Sequence, residues 1–122
     1  MPKILAVDDD LYILDLYKTM LTEAGYEVAT AEDAMSAVTK FQEFKPDLLI
    51  LDVEMPAGGG EKVFDRLRNL FMVTIPIIFS TGVPENVQRY ASFENVTVLK
   101  KPVDKETLLG EIKRLLQPKE TP

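Results

Sequence analysis

The 122-residue chain contains no cysteine and no histidine. The first absence excludes disulfides, thiolate catalysis and cysteine-ligated zinc. The second removes Ser-His and Cys-His catalytic systems and, with it, the usual transition-metal ligands. No apolar run approaches the length of a bilayer-spanning helix. The opening MPKILAVDDD also lacks the basic-then-apolar layout of a signal peptide, so a cytoplasmic protein with no membrane partner is expected. There is no basic patch either: the 14 Lys and Arg residues are dispersed and the net charge is −6, which argues against direct nucleic acid binding. Any chemistry must run on carboxylates, hydroxyls, lysine, arginine and backbone.

Enough remains to build one core. Hydrophobic residues make up 46% of the chain and charged residues 28%, an ordinary balance for a single globular domain of this length. Short apolar runs at Ile4–Val7, Tyr26–Thr30, Leu48–Leu51, Ile75–Ser80 and Val96–Leu99 read as strands. Leu48–Leu51 and Ile75–Phe79 are almost continuously apolar, as central parallel strands covered on both faces must be. Between the runs the period turns helical. Leu14, Tyr17, Leu21 and Ala24 share one face ahead of Gly25; Ala34, Val38 and Phe41 form a second face, closed by Pro46; Val63, Leu67 and Leu70 form a third. A weakly patterned fourth helix is predicted around Glu85 to Ala91. A last one starts from Asp104 as N-cap, with Leu108, Ile112, Leu115 and Leu116 facing inward and Lys113 and Arg114 near its end. Five βα units in succession imply right-handed crossovers and a parallel sheet with helices on both faces. The reading is a single domain over residues 1–122, with its core over about 2–117 and a tail at 118–122.

Ligands of an open α/β sheet bind beyond the carboxyl ends of its strands. There the first strand places Asp8 and Asp9, the third Asp52, the fourth Ser80 and Thr81, and the fifth Lys100 and Lys101. Because strand side chains alternate, only one of the two lysines faces the rim, and Lys100 is taken as the solvent-facing one. Three acids against one lysine leave a negative excess that would repel itself unless a hard cation cancelled it. Without His or Cys, Mg²⁺ (or Mn²⁺) is the natural candidate. Thr81 and Lys101 suit phosphoryl oxygens, and an aspartate beside a divalent cation can itself be a nucleophile. Asp52 is the best placed, since it follows the central run LLIL.

In their order and spacing, VDDD at 7–10, LLILDVEMP at 48–56 with Gly60 beyond, IPIIFSTG at 75–82 and KKP at 100–102 resemble the receiver domain of two-component response regulators. The resemblance implies a flavodoxin-like (βα)5 doubly wound fold with a five-stranded parallel sheet in the order 2-1-3-4-5. It implies Asp52 as phosphoacceptor, Thr81 as the switch hydroxyl and Lys101 as its partner. Asp8, Asp9, Asp52 and the backbone carbonyl of Glu54 would be the metal ligands, and the Lys101–Pro102 bond would be cis. The function implied is a signalling switch that takes a phosphoryl group from a sensor histidine kinase or a histidine phosphotransfer protein. It would then change its surface for a downstream effector, phosphorylating and dephosphorylating itself without multiple turnover. Partner contacts are expected on the face of the fourth and fifth helices and strand five.

The chain departs from the family pattern in places. Val98 stands where an aromatic switch residue is usual, and Gly58 and Gly59 replace a common Met-Asp, so AGGG reads as a mobile loop. Glu54 and Val83 flank the expected path of hydrolytic water, which suggests slow to moderate self-dephosphorylation. A different class also fits part of the pattern. Asp8-x-Asp10 with Thr81 and a lysine resembles a haloacid-dehalogenase-type phosphatase, with Asp8 as nucleophile and Asp10 as acid. No acidic pair follows Lys101 to complete it, and Asp10 is equally a helix N-cap. A flavodoxin-like FMN module lacks its Ser/Thr-rich phosphate loop here. The cognate kinase and target are not encoded in any motif, and a stand-alone regulator and a piece of a longer protein both remain open.

Overall fold

The computed structural model describes residues 1–55, 59–70, 74–90 and 95–117. Five strands, β1 (Lys3–Val7), β2 (Glu27–Ala31), β3 (Leu48–Asp52), β4 (Ile77–Thr81) and β5 (Val96–Lys100), alternate with helices α1 (Leu11–Glu23), α2 (Ala34–Phe44), α3 (Gly59–Leu70) and α4 (Lys105–Leu116). The sheet is parallel throughout, in the order β2-β1-β3-β4-β5. This is the doubly wound flavodoxin-like arrangement expected from the sequence, with strand limits displaced by one or two residues.

Side-chain alternation along the strands splits the core into two layers. Leu5, Val7, Leu49, Leu51, Ile77 and Phe79 face α2, α3 and the segment before β5, where they meet Ala37, Val63, Phe64, Leu67, Val87 and Tyr90. Ile4, Ala6, Leu48, Ile50 and Ile78 face α1 and α4 and meet Leu14, Tyr17, Leu21, Leu108 and Ile112. Truncating one such buried side chain to alanine costs about 2–5 kcal/mol, so β1, β3 and β4 form a stiff floor whose ends hold position.

The helix starts follow local chemistry. The Asp10 carboxylate accepts from the N–H groups of Tyr12 and Ile13, Asp33 from Ser36, and Asp104 from Thr107. Helix α1 ends before Gly25, whose φ of 98° belongs to glycine. Lys45 takes the left-handed turn after α2 with φ 54°, and Pro46 follows.

Four expectations are corrected. The inward face of α2 is centred on buried Ala37 and flanked by Ala34, Phe41 and Phe44, because Val38 lies one step round the helix. The fourth helix is a kinked 3₁₀ segment, Pro84–Tyr90, broken at Val87 (φ −123°), so α4 is the last helix of the chain. It lacks a sustained 3.6-residue apolar stripe, and its two buried anchors, Val87 and Tyr90, lie three residues apart, one 3₁₀ turn. β4 begins at Ile77, not Ile75. Gly59 and Gly60 belong to the first turn of α3, not to a loop. Gly58, Ala91 and the tail 118–122 lie outside the described residues, as does the side chain of Leu70. Val98 is half-buried against the layer that holds a ring trio of Phe64, Phe79 and Tyr90, with centroids 4.8 to 5.5 Å apart. No helix among the described residues is long and apolar enough to cross a membrane.

Candidate phosphoryl-transfer site

The strand register brings the polar residues together. Val7 pairs with Leu51, and Asp52 with Ser80, so the carboxyl ends of β1, β3 and β4 stop at one level. Asp8, Asp52 and Lys101 continue the parity of Ala6, Ile50 and Leu99, the residues on the α1/α4 side. They therefore converge on that side, while Lys100 is exposed. The Lys101–Pro102 peptide is cis, and the Lys101 N–H donates to the Thr81 carbonyl at 2.8 Å.

Asp8 and Asp52 are each 1% exposed, an unusual burial for carboxylates. The Lys101 ammonium lies 2.5 Å from Asp52 Oδ1 and 3.7 Å from Asp8 Oδ2. Asp8 Oδ1 accepts the Asp10 N–H at 2.9 Å, and Asp52 Oδ1 accepts the Glu54 N–H at 3.3 Å. The other oxygens, Asp8 Oδ2 and Asp52 Oδ2, are buried without a hydrogen-bond donor among the described residues. Burial pushes the Asp8 carboxyl up to about 6; the Asp10 N–H opposes the rise, while the negative charge of Asp52 adds to it. Burial lowers the Lys101 ammonium, but the hydrogen bond and charge of Asp52, then the charges of Asp8 and Glu54, outweigh it and leave the group above its ordinary value.

Asp9 is exposed at the rim, and one oxygen each from Asp8, Asp9 and Asp52 lie within 4.8 Å of one another. Two of the three belong to buried residues that also carry orphaned oxygens, and all three are hard oxygen donors. This set fits a divalent cation such as Mg²⁺.

Thr81 is fully buried, with its hydroxyl donating to Glu54 Oε2 at 2.6 Å and accepting the Val83 N–H at 3.0 Å. The Gly82 N–H donates to Glu54 Oε1 at 2.6 Å. Sequence reasoning does not foresee this role of the Glu54 side chain, which it places only beside a water path; no spacing rule links position 54 to position 81. Tyr17 is also missed as a neighbour of the site. By sequence it counts only as one residue of an apolar helix face, yet it is buried and lines a cleft shared with Asp52 and Lys101, and burial raises its phenol.

A doubly wound parallel sheet with buried acids, a lysine and a hydroxyl at its carboxyl rim defines a class of phosphoryl-handling α/β domain. Comparison with known proteins narrows it. Residues 4–113 match the response regulator receiver domain, and the chain belongs to that family of two-component signalling modules. It is 32% identical over 92% of its length to the transcriptional regulatory protein CrdR of Helicobacter pylori, and 38% identical over 98% to the probable transcriptional regulator ycf27 of Cyanophora paradoxa. Those matches cover 54% and 50% of the relatives, so the chain spans about half the length of the curated proteins it resembles. Among solved structures, the chemotaxis protein CheY4 of Vibrio cholerae aligns with a TM-score of 0.85 at 36% identity, covering 95% of this chain and 99% of that one. Receiver domains are not in general multiple-turnover enzymes, and the haloacid-dehalogenase alternative finds no support: Asp10 commits its carboxylate to the N-terminus of α1.

Proposed function

We propose that Asp52 is the phosphoacceptor of this receiver domain and that its donor is a phosphohistidine on a sensor kinase or histidine phosphotransfer protein. One observation carries the reading: a buried carboxylate with one oxygen anchored by Lys101 and the other without a donor among the described residues, at the rim beside Asp8 and Asp9. An Asp52 oxygen attacks phosphorus, the bond from phosphorus to the donor's imidazole nitrogen breaks, and the imidazole leaves with the electron pair. Lys101 offsets the charge gathering on the phosphoryl oxygens, and the Thr81 hydroxyl and Gly82 N–H are the neutral donors at the same rim. Asp8, Asp9 and Asp52, with the backbone carbonyl of Glu54, would hold Mg²⁺ (or Mn²⁺), which when bound supplies positive charge against the phosphoryl group. The domain phosphorylates and dephosphorylates itself once per signal.

The way in is a cleft of about 730 Å³ between α1 and the β5–α4 turn, lined by Asp9, Ile13, Tyr17, Asp52, Lys101 and Pro102. The exposed Leu11, Tyr12 and Leu16 on α1 offer apolar contact to the donor protein, and Leu16 also lines that cleft. The downstream effector would read the face of the 3₁₀ segment, β5 and α4. A cytoplasmic location belongs to the same reading.

Incubation with acetyl phosphate and Mg²⁺, followed by intact mass, tests it. One phosphoryl group should be added to the wild type and none to Asp52→Asn. Loss of labelling in Asp8→Asn but not Asp52→Asn, with repeated hydrolysis of a phosphate ester, would overturn the reading.

A further inference from the structure

We infer that the Glu54 carboxylate is an internal occupant of the phosphoryl-oxygen donors, so that the site is reached only after Glu54 releases Thr81 and Gly82. The inference rests on the reading of Asp52 as phosphoacceptor. Its basis is the two-point clasp at 2.6 Å on each side: the Thr81 hydroxyl to Oε2 and the Gly82 N–H to Oε1. Both are short bonds to a charged acceptor, the stronger kind of hydrogen bond. The Thr81 proton is directed there because the hydroxyl oxygen already accepts from the Val83 N–H.

Those donors stand where a phosphoryl group would need them. Ser80 pairs with Asp52 across β3 and β4, so Thr81 and Gly82 leave β4 beside the reactive carboxylate. A phosphoryl group on Asp52 carries several anionic oxygens, and Lys101 alone cannot serve them all. The Glu54 carboxylate is also an anion with paired oxygens, and it takes the same hydroxyl and the same N–H. The two cannot share them. Glu54 adds a like charge as well, close enough to Lys101 to raise its ammonium.

The clasp is built to open. Glu54 is exposed, so its side chain can turn into water, while its own N–H stays tied to Asp52 Oδ1 at 3.3 Å. The main chain that carries Asp52 therefore need not move when the side chain lets go. A methyl group at position 82 would meet Oε1 at 3.4 Å, an ordinary contact distance, so the carboxylate lies directly against this stretch of backbone. In the resting protein Glu54 thus works as a positioning residue with an inhibitory sense, holding the Thr81 hydroxyl on its own carboxylate and lowering the affinity of the site for phosphoryl oxygens.

Glu54→Ala and Glu54→Gln, studied at saturating Mg²⁺, test this against beryllofluoride, which binds an aspartate as a phosphoryl analogue without chemistry. Glu54→Ala should bind beryllofluoride about tenfold more tightly than wild type and be labelled by acetyl phosphate faster by a similar factor. Glu54→Gln, which keeps one acceptor but loses the charge, should fall between. In the ligand-free protein the Gly82 amide proton should lose its strong hydrogen-bond shift in Glu54→Ala. If the Gly82 resonance is unmoved, or beryllofluoride binds the alanine variant no better, the clasp is not a competitor. A gain that vanishes at high salt would also overturn it, since long-range repulsion alone is screened away. If the wild type and all variants fail to take beryllofluoride or phosphate, the phosphoacceptor reading itself falls, and this inference with it.

Discussion

The Lys101 ammonium, carried in on a cis Lys101–Pro102 turn, touches Asp52 Oδ1 at 2.5 Å and reaches toward Asp8 at 3.7 Å. It is the one cation that the described residues place against the two buried carboxylates. The rim is thus an electrostatic compromise: enough positive charge to keep two acids buried, and too little to neutralise both.

Replacing that cation should expose the imbalance. Lys101→Met keeps the aliphatic stem and removes the charge, which leaves Asp8 and Asp52 facing each other. Breaking a buried pair costs about 3–5 kcal/mol, but Lys101 is 29% exposed, so solvent screening brings the expected loss down to about 1–3 kcal/mol at low Mg²⁺. Urea unfolding measures it, and added Mg²⁺ should recover part of the loss. Lys100→Met, on an exposed side chain, should stay within about 0.5 kcal/mol of wild type.

The Asp8 carboxyl sets a pH dependence whose sign is unusual for an acid. Its folded-state value is raised from 3.8 to about 6, so between these limits the folded chain holds a proton that the unfolded chain has lost. Stability from this group is complete below about pH 4 and is lost as the pH rises through about 6, by up to about 3 kcal/mol. Without Mg²⁺, Asp8→Asn should therefore unfold at higher denaturant than wild type at neutral pH, by about 1–3 kcal/mol, and the difference should shrink toward pH 4. Cation binding runs the other way. The apparent Mg²⁺ affinity, followed by calorimetry, should fall as the pH drops below about 6, approaching tenfold per unit. Equal stability of both proteins across that range would remove Asp8 as the titrating group.

Asp10 offers a control beside the site. Its carboxylate caps α1 through Tyr12 and Ile13 at 2.9 and 3.4 Å, so Asp10→Ala should cost about 1 kcal/mol of stability. The rate of labelling by acetyl phosphate should stay at the wild-type value. Loss of labelling in a folded variant would give Asp10 the acid role assigned by the phosphatase alternative.

The sheet and the residues at its rim were legible because both depend on local patterns. Continuous apolar runs such as LLIL and IIF suit strands covered on two faces, and the residues just after each run fall on the carboxyl edge. The 3₁₀ segment was not legible, because Tyr90 is anchored by the rings of Phe64 and Phe79 from α3 and β4 and Val87 is buried in the same cluster, not held by neighbours in the chain. Likewise Ala37, not Val38, faces the sheet, because packing rotated α2 by a fraction of a turn beyond what a short apolar pattern defines.

The sequence by itself determined which chemistry was available: acids, a hydroxyl and a lysine at strand ends, with no histidine or cysteine to compete for a cation. Only the tertiary structure decided who holds whom. Lys101 meets Asp52 Oδ1 at 2.5 Å and reaches Asp8 Oδ2 only at 3.7 Å, a choice of partner that strand alternation alone leaves unspecified. The meeting of β3 and β4 brings Glu54, 27 positions away in sequence, to accept the hydrogen bond of the Thr81 hydroxyl. Such pairings are set by register and side-chain reach between elements distant in sequence, which no local pattern contains.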